Sequence, residues 1–226
     1  SSDNFRFACH ELLVHLSLLF NLMISRCSSP NGMLSSLLVP IPKNRKKGLS
    51  DSSNFRSIAL SSVISKILDH VVLAKYAEVL TTSELQFGFK ARHSTSQCTF
   101  VLNEVVSYYN ARGSSVFVTL LDATKAFDRV HYVKLFRLLH SRNMCPVLLR
   151  LLASMYIAQS LAVRWQGITS AEFPCLNGIK QGGVMSPVLF CVYFDELIQR
   201  LNALGVGCHV GHRFVGALSY ADDITL

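Results

Sequence analysis

The sequence predicts an α+β fold, with helices and strands intermixed and no regular strand–helix–strand rhythm. Apolar residues recur at helical spacing in several separate windows, and short β-branched runs stand between some of them. No internal repeat or low-complexity linker divides the chain. With 226 residues, 50% of them hydrophobic and 16% charged, there is enough apolar surface to build a sizeable core, which excludes intrinsic disorder.

In chain order, Leu12, Leu16, Leu19 and Met23 keep the helical period, and Pro30 to Gly32 ends that helix. The stretch Leu12 to Ile24 is interrupted by His15, Ser17 and Asn21 and falls short of the roughly 18 to 20 apolar residues that span a bilayer. Asp3 and Glu11 stand where a signal peptide carries positive charge. Ser36 to Pro42 reads as a short strand, with Pro40 and Pro42 marking an edge or exit. A basic, breaker-rich segment follows from Lys43 to Ser53, then a helical pattern over Ser61 to Leu80 and a glycine-containing basic loop over Gln86 to Ser94. Thr95 to Ala111 is helical again. Ser115 to Leu121 is β-branched, apolar and short enough for a buried strand ending at Asp122. Helices are expected over Ala126 to His140 and Pro146 to Gln159, with a strand at Leu161 to Trp165. Gly178 to Pro187 reads as a loop, and Pro187 opens a helix over Val188 to Leu204. A last strand, Arg213 to Ser219, leads into Tyr220-Ala221-Asp222-Asp223.

The formal charge is +8, from 22 Lys and Arg against 14 Asp and Glu, which favours an anionic partner such as nucleic acid or membrane headgroups. The 7 cysteines are scattered, with no CxxC pair, which argues against a zinc module and for free thiols in a reducing compartment. An intracellular protein, nuclear or cytoplasmic and not secreted, is expected. The run Lys43 to Lys47 reads as a solvated loop, a nuclear-localisation patch or an RNA-backbone contact. His209 and His212 read as surface or structural residues, because no carboxylate or cysteine ligand set joins them nearby.

Acidic residues are scarce, so their placement is informative. Asp122 closes an apolar strand, and Asp222 and Asp223 stand adjacent after another. Carboxylates so placed need positive compensation, from Lys or Arg or from a hard divalent cation such as Mg²⁺.

These residues sit in recognisable boxes. Tyr220-Ala221-Asp222-Asp223 resembles the YADD box of reverse transcriptases, and Asp122-Ala123-Thr124-Lys125-Ala126-Phe127-Asp128 resembles their first palm motif. Gln181-Gly182-Gly183-Val184-Met185-Ser186-Pro187 resembles the second palm motif. Asn54-Phe55-Arg56-Ser57-Ile58, with Ser57 where proline is usual, and Gln86-Phe87-Gly88-Phe89 through Thr95 resemble two fingers boxes. Together they cover roughly residues 37 to 226, in a style similar to non-LTR (LINE-type) retrotransposon reverse transcriptases.

The resemblance implies a right-hand polymerase: a helical extension over 1–36, fingers with parts of the palm over 37–114, and an antiparallel palm sheet backed by helices over 115–226. The implied function is RNA-directed DNA synthesis from dNTPs, on an RNA template and a DNA primer or target, with no membrane partner. Asp122, Asp222 and Asp223 are the implied catalytic residues and ligands of two Mg²⁺ ions, which Mn²⁺ could replace. Lys43, Arg56, Ala123, Ala126, Phe127, Gln181 and Gly182 are the implied dNTP-binding residues. Phe127 takes the position of the steric gate against a ribose 2′-hydroxyl. Arg92, Ser94 and Tyr220 are implied contacts to template or primer.

The chain stops three residues past Asp223, so the primer grip and thumb are expected to be absent and the palm incomplete. That favours a rival reading, a degenerate or domesticated fragment that binds nucleic acid without catalysis. The intact aspartates and Gln181 oppose it. An RNA-dependent RNA polymerase shares the palm, but Ala221, where that family usually has glycine, and the bulky Phe127 argue against it.

Overall fold

The computed structural model describes residues 9–44, 46 and 50–226. The first elements in chain order are α1 (His10–Arg26), β1 (Ser35–Pro42), β2 (Phe55–Leu60), α2 (Val63–Lys75), α3 (Thr95–Asn110), β3 (Leu120–Asp122), α4 (Tyr132–Ser141) and α5 (Pro146–Ile157). There follow β4 (Ser160–Trp165), β5 (Ile168–Thr169), β6 (Phe173–Pro174), α6 (Ser186–Leu204), β7 (His209–Val210), β8 (Arg213–Phe214), β9 (Leu218–Tyr220) and β10 (Asp223–Thr225). They form two compact units, one from Ser1–Val79 with Phe127–Ser186 and the other from Leu80–Ala126 with Pro187–Leu226.

The first unit holds a five-stranded sheet in the order β2-β1-β4-β5, with β6 also paired to β4. β1 and β2 pair antiparallel and β1 and β4 parallel. Helix α1 ends where Cys27 turns left-handed and passes its N–H back to Ile24, with Ser28 bonding Met23. The Ser62 side chain caps α2, and Pro146 occupies the first turn of α5, where its missing N–H costs nothing. Leu68, Leu135, Leu139 and Leu151 are fully buried here.

The second unit is built on the three-stranded antiparallel sheet β3-β10-β9, with α3 packed against β9. A reciprocal capping box of Ser94 and Gln97 starts α3. α6 presents Leu189, Phe190, Val192 and Ile198 to the core, and β7 and β8 form a separate small hairpin.

Several sequence expectations give way. The strand expected over Ser115 to Leu121 shrinks to β3 and is exposed rather than buried, with Phe117 90% accessible. It lies at the edge of its sheet, so only the residues that find partners on β10 become strand. The helix expected over Ala126 to His140 breaks into a 3₁₀ turn, Phe127–Arg129, followed by α4. The carbonyls of Phe127 and Val130 accept from Ile179 and Gly178 and are therefore withheld from an α-helical ladder. The helix over Ser61 to Leu80 stops at Lys75, and the strand Arg213 to Ser219 splits into β8 and β9. Strand β2 and the short β5 and β6 were not expected. Of the basic run Lys43 to Lys47, Arg45 and Lys47 lie outside the described residues, as does Asp3. No helix among the described residues is long and apolar enough to cross a membrane.

Candidate active site

The acidic residues meet through strand register. β9 and β10 are joined by a two-residue turn, Ala221-Asp222, with Tyr220 facing Asp223 across the hairpin. On the other side of β10, Asp122 at the end of β3 stands directly opposite Asp223. Asp122 and Asp223 are exposed, while Asp222 and Tyr220 are half-buried. Partial burial, together with the charges of Asp222 and Asp122, holds the Asp223 carboxyl above its ordinary pKa. Among the described residues no three His, Cys, Asp or Glu side chains form a ready-made metal cage. The donors nonetheless suit Mg²⁺, which takes hard oxygen ligands and commonly binds one or two carboxylates together with substrate phosphates.

The turn is gripped from behind by Gln86, which is fully buried. Its amide N–H groups donate to Ser219 Oγ at 2.9 Å and Ala221 O at 3.2 Å, and its Oε1 accepts from Ala221 N at 2.9 Å and Gly88 N at 2.8 Å. Sequence reasoning placed Gln86 in a fingers box but gave it no role.

After Asp122 the backbone turns at residues 124–126, with Lys125 left-handed at φ +53°. Ala123 and Ala126 are half-buried beside this turn. Arg92 is exposed at φ +62°. The Ser94 hydroxyl accepts from Gln97 N as the cap of α3.

The remaining expected nucleotide-binding residues belong to the other unit. Gln181 and Gly182 form a turn against β2, where Ala59 N donates to Gln181 O at 2.6 Å. Gly182 sits at φ +96°, and a Cβ there would lie 3.0 Å from Ile58 Cγ2 and 3.1 Å from Ala59 O, so glycine suits both the conformation and the space. Arg56 is exposed on β2. Lys43, just past β1, donates from Nζ to Ser53 O at 3.0 Å. Phe127 is half-buried and anchors the same loop through its carbonyl, which accepts from Ile179 N at 2.9 Å. His209, by contrast, packs edge-on to Phe214, and its backbone N–H and C=O both bond the Tyr109 hydroxyl.

Two further residues hold the 181–185 loop. Asp69 on α2 accepts backbone bonds from Met185 and Val184 and faces Lys180, whose Nζ donates to Ser36 Oγ at 2.8 Å. Burial outweighs these favourable partners and raises the Asp69 carboxyl to about 6. The only sequence signal was a lone acid beside Leu68 in an apolar helix. Because the folded state holds this proton more tightly than the unfolded chain, the contribution is full below about pH 4 and is lost as pH rises through about 6. Asp69→Asn should remove that dependence. Relative to wild type, its stability should gain on the order of 2–3 kcal/mol between pH 4 and pH 7. Thermal unfolding of both proteins across that range checks it.

Comparison with known proteins matches residues 41–226 to the family described as reverse transcriptase (RNA-dependent DNA polymerase). The chain is 24% identical over 173 residues to the Pol polyprotein of the type-2 retrotransposable element R2DM of Drosophila melanogaster, covering 76% of this chain and 16% of that protein. It is 28% identical over 196 residues to the probable RNA-directed DNA polymerase of the X-element transposon of the same organism, covering 84% of this chain and 21% of that protein. The chain therefore spans about a fifth of the length of these relatives. The fold is similar to that of telomerase from Candida albicans, solved with a fragment of telomeric RNA, at a TM-score of 0.59 and 11% identity over 92% of this chain and 41% of that one. The chain belongs to the reverse transcriptase (RNA-dependent DNA polymerase) family, among the non-LTR retrotransposon members.

Proposed function

We propose that the chain carries the nucleotidyl-transfer centre of an RNA-directed DNA polymerase, extending a primer with dNTPs on an RNA template. The observation that carries this reading is the register that sets Asp122 opposite Asp223, the chain neighbour of Asp222. The primer 3′-hydroxyl gives up its proton to solvent as its oxygen bonds the α-phosphorus of the dNTP, the bond from that phosphorus to the α–β bridging oxygen breaks, and pyrophosphate leaves. Asp122 and Asp222 would hold a pair of divalent cations, Mg²⁺ or Mn²⁺, which supply Lewis-acid stabilisation of the attacking and leaving oxygens. Asp223 adds to the negative field that draws cations to the turn. Arg56 and Lys43 offer charge-assisted donors to the triphosphate, and the Gln181-Gly182 backbone permits close approach of the nucleotide. Phe127 excludes the ribose 2′-hydroxyl. Arg92, Ser94 and Tyr220 contact template or primer, so binding should weaken steeply as salt rises.

The test is primer extension with Mg²⁺ on an RNA template, alongside salt-dependent binding of the same duplex. Incorporation of dNTPs is expected. Salt-sensitive binding without any incorporation would favour the non-catalytic fragment instead. Phe127→Val should raise ribonucleotide incorporation relative to deoxynucleotide by at least about ten-fold. An unchanged ratio would remove Phe127 from the gate.

A further inference from the structure

The Ala221-Asp222 turn carries an unusual demand. Ala221 has a Cβ yet sits left-handed at φ +56°, and it is buried, so its N–H and C=O cannot fall back on water. Both groups are taken by one side chain. Gln86 accepts from Ala221 N and donates to Ala221 O, and Ser219 Oγ, itself bonded to Gln86, makes a second contact to Ala221 O at 3.2 Å. The amide orientation is fixed, because the N–H groups of Ala221 and Gly88 can only donate and must face Oε1. Gln86 is held firmly in its turn, since backbone bonds Ser219 N to Leu85 O at 2.8 Å and Phe87 N to Ser219 O at 2.7 Å lie on either side of it. Gly88 completes the clamp by bringing its backbone against Ala221, where a Cβ would lie 2.3 Å from Ala221 N.

We propose that Gln86, with Ser219, is a positioning residue that fixes the peptide joining Ala221 to Asp222 and thereby sets where the Asp222 carboxylate presents itself to a divalent cation. This rests on the polymerase reading of Asp222. Only an amide satisfies the site. A carboxylate lacks the N–H groups that face Ala221 O and Ser219 Oγ, and an apolar side chain leaves four buried partners unpaired. With the clamp weakened, the turn keeps its sequence but loses its fixed orientation.

The variants are Gln86→Glu and the milder Ser219→Ala. They are read by the Mg²⁺ dependence of primer extension, by KM for the primer–template, and by Mn²⁺ binding followed by electron paramagnetic resonance. Gln86→Glu should raise the Mg²⁺ concentration for half-maximal extension and the Mn²⁺ dissociation constant at least about ten-fold, with kcat reduced and the primer–template KM within about two-fold. Ser219→Ala, which strands only one N–H of Gln86, should shift both metal readouts the same way by about three-fold, with its unfolding temperature lowered by only a few degrees. Folded variants with wild-type Mg²⁺ and Mn²⁺ dependence overturn the proposal. If Gln86→Glu does not fold, Ser219→Ala decides by the same readouts. If the wild-type chain extends no primer, the polymerase reading fails on its own. Mn²⁺ affinity then decides the positioning role, supported by weakening in Ser219→Ala and overturned by no change.

Discussion

Asp222→Asn is expected to reduce dNTP incorporation at least about a thousand-fold, equivalent to about 4 kcal/mol of transition-state stabilisation. The substitution keeps the size and shape of the side chain but removes the charge that draws a divalent cation. Its effect on folding should have the opposite sign. Asp222 is one of three carboxylates gathered at the strand ends, and its charge helps hold the Asp223 carboxyl above its ordinary range. Removing it relieves repulsion, so the unfolding temperature should be unchanged or raised. Activity lost with stability retained separates a catalytic group from a structural one. Undiminished incorporation would contradict the assignment.

Gly88→Ala should cost both stability and activity. The new Cβ would lie 2.3 Å from Ala221 N and 2.8 Å from Ala221 Cα, so it meets backbone rather than the end of a side chain that could swing away. Behind Gly88, the buried Cys191 of α6 donates from Sγ to the Gly88 carbonyl at 3.4 Å, which limits retreat. Overpacking of this kind costs about 3 kcal/mol. At this chain length that is a fall in unfolding temperature on the order of 6–12 °C. Activity should fall further than the loss of folded protein explains, because the atoms displaced are those that carry Asp222. A variant with wild-type unfolding temperature and activity would show that the close approach is relaxed in solution.

The carboxylates and the loop glycines were legible because each belongs to a short, contiguous motif whose residue types name the chemistry. Asp122 and Asp222 were linked only through the motif resemblance, and the β3-β10 register adds that Asp122 faces Asp223, the chain neighbour of Asp222. The partners of Gln86 were not legible. Its bonds to Ser219 and Ala221 span more than a hundred residues, and no local pattern marks a side chain that serves a distant turn. Asp69 was hidden for the same reason, since its task is to receive backbone N–H groups of the 181–185 loop. The broken helix after Ala126 was misread because periodicity reports side chains, whereas Phe127 and Val130 spend their carbonyls on Ile179 and Gly178. Strand β2 escaped notice because Arg56 and Ser57 dilute its apolar alternation, and pairing with β1 supplies what propensity lacks.

Mn²⁺ titration of the wild-type chain, Asp122→Asn and Asp222→Asn by electron paramagnetic resonance tests most directly whether two acidic side chains far apart in sequence share bound cations. Binding in the wild type that is weakened by either substitution alone, with all three proteins folded, is the expected result. Mn²⁺ binding that persists unchanged in both variants would contradict it.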